Sequence, residues 1–327
     1  MNAPAEQHRH AVVAQYVFDG ETVHDNAAAL IEGERILGVV ARRDLSAAVP
    51  TETMPDGSWL APGFIDLQVN GGGDVLFNDN PTPEGIAAIA AAHRRFGTTG
   101  LLPTLITDRA EVMTAALKAA QESVQRNPSI LGIHFEGPFL SPGKPGVHNP
   151  DAIRRPEPSD LATLTGLHGG ATLVTLAPEQ APEGFIAALK AEGATVALGH
   201  SMATYEETRQ AMVEGLTGFT HLFNAMRPLG SRDPGPIAAA LESPDSWCSL
   251  IVDGEHVHPA VLRLALRGLG RPVLVTDAMP PVGGARSTFS LYGEEMSVYE
   301  GRCLRQDGTL AGAVLDMASA VRNSVRL

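Results

Sequence analysis

Eight short apolar segments recur along the second part of the chain, each followed by a polar loop. They are residues 61–69, 98–105, 130–135, 171–177, 194–200, 218–223, 248–253 and 272–277. Segments that are apolar on both faces are typical of buried parallel strands, and helix-like stretches such as 83–97 and 109–125 separate them. The pattern therefore predicts an α/β fold, a (β/α)8 barrel of the TIM type. A doubly wound open sheet is the alternative, but no GxGxxG motif follows the first strand.

Two regions break this rhythm. Residues 1–57 contain short β segments separated by turns, and such a piece is too small to hold a core by itself. We expect a small β-domain there, with the barrel occupying residues 58–327. After the eighth strand, residues of about 283–312 alternate between β-like pieces and glycine turns. This region is predicted to be an insertion of β-hairpins, which we call the flap.

Charge and cysteine content exclude several classes of function. The 327 residues carry a net charge of -13, which argues against nucleic acid or an anionic membrane as the main partner. No run of about 18 apolar residues occurs, and the polar N-terminus lacks a signal-peptide core. Cys248 and Cys303 form no CxxC motif. We expect a cytoplasmic protein that acts on a small molecule, and an anionic substrate would need a locally basic pocket.

The carboxyl ends of the predicted strands are rich in polar and ionisable residues, and reactive groups gather at these ends in a barrel of this kind. The residues are Gln68, Asn70, Thr104, His134, Glu136, Glu179, His200, His221, Asn224, Asp253, His256 and Asp277. One carboxylate and two imidazoles, from Glu136, His200 and His221, can hold a catalytic divalent metal with positions open for water and substrate. The metal would lower the pKa of its water to about 7. Asp277 could then move the proton.

Each of these residues also has a structural interpretation. A single strand-end histidine is more often hydrogen-bonded within the fold than bound to a metal, and Asp277 or Glu136 could cap or border a turn. Metal-assisted hydrolysis therefore depends on all four residues meeting at one rim. His134 is expected to support the site or its packing. The remaining histidines expected on the surface are His8, His10, His93 and His168.

Longer motifs around these residues carry a family resemblance. The segments PGFIDLQVNGGG, HFEGPFL with KPGVHNP, GHSMATYEE, THLFNAMRPLGSRDPG, VDGEHVHP and LVTDAM together resemble the N-acetylglucosamine-6-phosphate deacetylases of the amidohydrolase superfamily. The resemblance covers about residues 10–327. It implies hydrolysis of the 2-acetamido group to acetate and glucosamine 6-phosphate by a metal-bound hydroxide. An N-acetylgalactosamine-6-phosphate deacetylase and a non-catalytic scaffold of the same fold remain open alternatives.

The resemblance also implies roles for individual residues. Glu136, His200 and His221 match the metal ligands, and Asp277 matches the general acid/base. His148 matches a histidine that contacts the substrate and polarises the acetamide carbonyl. Contacts to the sugar and phosphate are implied for Asn224, Ala225 and His256. Arg232 matches an arginine that reaches the phosphate from the neighbouring subunit, which implies a homodimer.

Gln68 and Asn70 stand where many amidohydrolases carry an HxH pair. Because amides bind metals poorly, we expect one divalent ion per subunit, with Zn²⁺ as the first expectation and Fe²⁺, Co²⁺ or Mn²⁺ as alternatives. Gln68 is expected to hydrogen-bond metal-bound water or a metal ligand, and Asn70 to orient the glycine loop 71–73. Relatives continue beyond residue 327 and complete the small β-domain, so we expect its sheet to expose an edge here.

Overall fold

The computed structural model describes residues 9–327, and the chain divides into two compact units, Met1–Gly63 and Phe64–Leu327. The first unit is a five-stranded sheet made of β1 (Arg9–Phe18), β2 (Val23–Glu32), β3 (Arg35–Ala41), β4 (Thr51–Thr53) and β5 (Trp59–Leu60). The first three strands form an antiparallel meander, and β4 and β5 add to β1 in parallel. Small side chains such as Ala11, Val13 and Ala28 are buried in it.

The second unit is built on eight parallel strands in sequence order. β6 (Phe64–Val69) leads into a short hairpin of β7 (Gly71–Gly72) and β8 (Val75–Leu76). The remaining barrel strands are β9 (Thr98–Ile106), β10 (Gly132–Glu136), β11 (Ala171–Leu176), β12 (Thr195–Leu198), β13 (Gly218–Phe219), β14 (Trp247–Leu250) and β15 (Arg271–Leu274). Every predicted segment overlaps one of these strands. The predicted (β/α)8 barrel with a separate small β-domain is therefore confirmed.

Eight helices accompany the strands in the described part of the chain. They are α1 (Pro83–Arg94), α2 (Ala110–Arg126), α3 (Pro158–Leu164), α4 (Phe185–Ala191), α5 (Tyr205–Glu214), α6 (Gly235–Glu242), α7 (Pro259–Gly268) and α8 (Met317–Val325), with single 3-10 turns at Arg42–Asp44, Pro150–Ala152 and Pro178–Gln180. Side-chain hydrogen bonds cap the first turns of several helices. For example, Thr204 and Glu207 form a capping box at the N-terminus of α5. Among the described helices, none is long and apolar enough to cross a membrane.

Alternation along the strands separates the core from the barrel interior. All five residues of β10 are buried. Ile133 and Phe135 join the main apolar cluster, together with Met113 and Ala116 of α2. Because successive side chains point to opposite faces, His134 and Glu136 project into the barrel. The strand that packs against the helices thus also delivers a carboxylate to the rim.

Backbone hydrogen bonds outside the regular strand pairing close the barrel between its first and last strands, β6 and β15. The amide of Asp277 donates to the carbonyl of Gln68 at 3.0 Å, and the amides of Asn70 and Gly71 donate to the carbonyl of Ala278. Lower in the seam, Thr276 donates to the buried Asp66 carboxylate from its hydroxyl at 2.5 Å. Closure of the barrel therefore brings Asp277 beside Gln68 and Asn70.

The flap is an antiparallel meander of four strands. Its strands are β16 (Thr288–Leu291), β17 (Glu294–Tyr299), β18 (Arg302–Leu304) and β19 (Leu310–Ala313). Leu291 and Met296 pack with Ile106 and Met279, which lie near barrel strand ends. The amide of Ala313 also donates to the carbonyl of Asp277 at 2.9 Å. The flap is thus attached directly to the eighth strand end.

The expectation of surface histidines was wrong for His93. This side chain is fully buried, and its Nε2 donates to the carbonyl of Gly71 at 2.9 Å. It was misassigned because α1 turns this position toward the glycine loop. His168 is exposed, although it lies in the loop after α3 rather than in a helix, and His10 is half-buried in β1. His8 lies outside the described residues.

Candidate active site

Three residues at the barrel rim share an unusual backbone conformation. His200, His221 and Asp277 have φ angles of 48°, 34° and 52°. Residues other than glycine rarely adopt this left-handed region, and such strain is concentrated at functional sites. Each residue lies two or three positions past the end of its strand. The amide of His221 is held by the Ser249 hydroxyl at 2.7 Å, and that of Asp277 by β6.

Three potential metal-ligand atoms converge at this rim. Oε1 of Glu136 lies 2.9 Å from Nε2 of His221 and 3.2 Å from Nε2 of His200, and the two imidazole nitrogens are 3.1 Å apart. All three side chains are buried. Although burial raises the pKa of Glu136, its close contacts with the imidazoles of His200 and His221 hold that pKa well below its usual range. The carboxylate is therefore charged in a place that water hardly reaches.

The tautomer of His200 indicates what belongs between these atoms. Its Nδ1 contacts the carbonyl of Lys144 at 2.9 Å, and because a carbonyl only accepts, Nδ1 carries the proton. The lone pair on Nε2 consequently faces the negative oxygen of Glu136. Ligand atoms about 2.1 Å from one ion lie roughly 3.0–3.4 Å from each other at tetrahedral or octahedral angles. The observed separations of 2.9–3.2 Å match such a set, so the residues present fit a divalent metal.

A second set of three, Glu136, His148 and His200, also has its ligand atoms within 4.8 Å of one another. Nε2 of His148 is farther from Oε1 of Glu136, at 4.0 Å. The backbone amide of Thr107 donates to Nδ1 of His148 at 3.2 Å, so this nitrogen is an acceptor and the proton of the neutral ring resides on Nε2. Burial lowers the pKa of His148 to about 3, which keeps the ring neutral. A protonated Nε2 cannot bind a metal, and the geometry favours His221 as the third ligand.

The amides of Gln68 and Asn70 hold the carboxylate of Asp277. Gln68 donates from its Nε2 to Oε2 of Glu136 at 3.0 Å and to Oδ1 of Asp277 at 3.1 Å. Asn70 donates to the same oxygen at 2.6 Å, rather than to the glycine loop as expected. Burial and the negative charge of Glu136 raise the pKa of Asp277 to about 6. A carboxyl that titrates near neutrality suits a proton-transfer role.

His134 lies one layer below, where it supports the barrel interior. Its Nε2 contacts the hydroxyl of Thr175 at 2.7 Å, and its Nδ1 lies 3.3 Å from the hydroxyl of Thr104. Burial lowers the pKa of His134 to about 4, so the ring stays neutral. This arrangement satisfies both nitrogens within the fold.

A cavity of about 610 Å³ opens above these residues. Glu136, His148, His200, His221 and Asp277 line it, and so do Asn224, Ala225 and His256. The ring of His256 is oriented by Asp253, whose Oδ2 lies 2.6 Å from Nδ1. Arg232 is exposed in the loop before α6 and is not among the lining residues of its own chain.

Sequence reasoning missed several residues at this cavity. Lys144 is the one Lys or Arg among the described residues that line it. Its position four residues before His148, within KPGVHNP, was the available signal. Thr309 and Leu310 of the flap form part of the wall. Thr107, which binds His148, follows β9 and had no distinguishing motif.

The chain resembles known proteins over most of its length. A model of the amidohydrolase family matches residues 59–325. N-acetylgalactosamine-6-phosphate deacetylase of Shewanella sp. (strain ANA-3) is 47% identical over 267 residues, which is 80% of this chain and 68% of that protein. N-acetylglucosamine-6-phosphate deacetylase of Haemophilus influenzae is 34% identical, over 97% of this chain and 84% of that protein.

Solved structures of N-acetylglucosamine-6-phosphate deacetylases also superpose on most of this chain. The crystal structure of N-acetylglucosamine-6-phosphate deacetylase from Pasteurella multocida superposes with a TM-score of 0.92 at 34% identity, covering 97% of this chain and 84% of that one. The enzyme of the same name from Mycobacterium smegmatis, in complex with N-acetyl-D-glucosamine-6-phosphate, superposes with a TM-score of 0.85 at 31% identity, covering 98% and 84%.

Proposed function

This chain belongs to the amidohydrolase family, and we propose that it hydrolyses N-acetylglucosamine 6-phosphate to acetate and glucosamine 6-phosphate. One observation carries the proposal. The ligand atoms of Glu136, His200 and His221 lie within 3.2 Å of one another, in the cavity that His148 and Asp277 also line. Relatives named as deacetylases of this substrate class support the choice of reaction. The expected cytoplasmic location stays a prediction.

Glu136, His200 and His221 would hold one divalent ion per chain. Zn²⁺ is our first proposal, and Fe²⁺, Co²⁺ and Mn²⁺ suit the same ligands. When bound, the ion would supply Lewis acidity, which polarises a carbonyl and lowers the pKa of water to about 7. Gln68 and Asn70 offer amides in place of further imidazoles, so no second ion is proposed.

The remaining residues orient the substrate and move protons. The Nε2–H of His148 donates to the acetamide oxygen, where negative charge develops as water adds to the carbonyl carbon. Asp277 takes a proton from that water. As the C–N bond breaks, the same carboxyl returns the proton to the departing amine, leaving acetate and glucosamine 6-phosphate. The two amides on Oδ1 of Asp277 leave its other oxygen available for this transfer.

The sugar and phosphate would be bound by the outer part of the cavity. Asn224, Ala225 and His256 line it, and Lys144 adds a positive charge to a protein of net charge -13. We propose that Arg232 completes the phosphate site from a second copy of the chain, because it is exposed and outside its own cavity. A guanidinium suits this role because it binds phosphate with two parallel hydrogen bonds.

A second candidate substrate is N-acetylgalactosamine 6-phosphate. It is favoured by the higher identity, 47%, to the Shewanella relative of that name. The two sugars differ in the orientation of one hydroxyl, and the reacting acetamido group is the same. The metal, His148 and Asp277 would act identically on both.

Asp277→Asn should reduce kcat by roughly 10²–10⁴-fold, because an amide cannot carry the proton. The metal content should stay at the wild-type value. Acetate release and elemental analysis measure the two quantities, with the exposed Asp245→Asn as the matched control. Loss of the metal together with activity would instead make Asp277 a ligand.

Purified wild-type protein should contain one tightly bound divalent ion per chain, measured by plasma mass spectrometry. His221→Asn should lose that ion, whereas His148→Asn should keep it, because Nε2 of His148 carries a proton. Two ions per chain, or the reverse behaviour of the variants, would contradict the ligand set. A folded protein with neither metal nor acetate release would indicate a non-catalytic scaffold.

Mixing Arg232→Ala with Asp277→Asn subunits should restore activity if Arg232 acts across the dimer. After random exchange in an equal mixture, about one quarter of all active sites would combine a native Asp277 with a native Arg232 from the partner subunit. Each variant alone should be nearly inactive on the 6-phosphate substrate. If Arg232 served its own cavity, no mixture would recover activity.

The ratio of kcat/KM for the two epimeric 6-phosphates should decide the substrate. We expect the gluco epimer to be turned over with the higher kcat/KM. A preference of more than tenfold for the galacto epimer would replace it with the second candidate. The corresponding sugars without phosphate serve as controls, since they lack the group that Lys144, His256 and Arg232 bind.

A further inference from the structure

The flap reaches the barrel rim through one tyrosine. Tyr292 lies in the turn between β16 and β17, with a φ of 52°. Its hydroxyl donates to the carbonyl of Thr107 at 2.6 Å. Burial raises the pKa of Tyr292, so the hydroxyl keeps the proton that it donates. Thr107 is the residue that immediately follows β9, which makes this bond a link from the flap to a strand end.

Thr107 is in turn the partner of His148. Its amide donates to Nδ1 of His148 at 3.2 Å, and its hydroxyl oxygen lies 2.8 Å from the same nitrogen. Both residues are buried, with exposures of 1% and 3%. A Cβ added at Gly137 would lie 2.2 Å from the Thr107 hydroxyl oxygen, so the two residues are in close contact. Tyr292, His148 and Gly137 together leave Thr107 little freedom.

We propose that Tyr292 is a positioning residue, which acts through Thr107 to hold His148 with its proton on Nε2 and directed into the cavity. The inference rests on the proposed function, since it assigns to the flap a part in polarising the acetamide oxygen. Tyr292 acts through the backbone of a single residue: its hydroxyl donates to the carbonyl of Thr107, and the amide and hydroxyl of Thr107 contact Nδ1 of His148. Tyr292 itself does not line the cavity.

The chemistry explains why this support matters. A neutral imidazole has two tautomers, and only the one with the proton on Nε2 can donate from the nitrogen that faces Glu136. If the backbone of Thr107 rotates, its amide no longer points at Nδ1 of His148, and this nitrogen is no longer required to accept a hydrogen bond. The ring can then place its proton on Nδ1 and lose the donor that faces the substrate. The hydrogen bond of Tyr292 therefore controls the tautomer of a residue that it does not touch.

Tyr292→Phe tests the proposal, with Tyr299→Phe of the exposed part of β17 as the matched control. We expect Tyr292→Phe to lower kcat by about tenfold, within the range seen when partners of site residues are removed. KM and metal content should stay at wild-type values. In a His148→Asn background the same change should have no further effect, because the ring that it positions is gone. Equal kcat for the two tyrosine variants, or additive effects with His148→Asn, would overturn the proposal.

A spectroscopic measurement separates this inference from the function itself. Nitrogen-15 NMR of histidine-labelled protein, assigned with His148→Asn, should show the proton of His148 on Nε2 in the wild type and partly on Nδ1 in Tyr292→Phe. Thr107→Val should shift it in the same direction if Tyr292→Phe does not fold. A wild-type ring with its proton on Nδ1 would refute the inference whether or not the protein is active. Absence of acetate release with the expected tautomer would refute only the proposed function.

Discussion

The site depends on an electrostatic conflict that the protein buries. Glu136 directs a charged oxygen at the lone pair of His200, whose tautomer is fixed by the carbonyl of Lys144, and His221 approaches both within 3.1 Å. A proton on Nε2 of His221, or a cation between the three atoms, relieves the repulsion between the carboxylate and this lone pair. The left-handed backbone at His200 and His221 adds further strain. Barrel packing maintains a geometry that a bound cation would stabilise further.

The neighbouring residues are arranged around this centre by hydrogen bonds with defined direction. Gln68 uses both hydrogens of its amide, one on Glu136 and one on Asp277, so it links the two carboxylates of the site. A flipped amide would direct its oxygen at two negative groups. His148 is fixed from the opposite side by Thr107. The amide nitrogen of Gln68 and the backbone amide of Thr107 thus present only donors to the atoms that they contact.

The strand pattern predicted the barrel, and the strand-end rule predicted which residues would meet at the rim. Glu136, His200, His221 and Asp277 lie at the carboxyl ends of four of the eight apolar segments, and these segments are readable from the sequence pattern. The left-handed backbone was not predictable, because it depends on bonds between strands distant in sequence. His93 was misassigned for a related reason: its helix is amphipathic, but a glycine loop takes the place of apolar core above it. Tyr292 and Thr107 are 185 positions apart, and neither belongs to a recognisable motif.

The seam between β6 and β15 joins the first and last strands of the barrel. Gln68 and Asn70, which hold the carboxylate of Asp277, lie at the end of the first barrel strand, and Asp277 follows the last, so 207 positions separate Asn70 from Asp277. Bringing together residues this far apart in sequence costs more conformational entropy than closing a short loop. A chain that has joined seven strands already brings Glu136, His200 and His221 into place, but not Asp277. Under the proposed function, such a chain would hold the metal without the group that transfers the proton, so turnover would report that the barrel has closed.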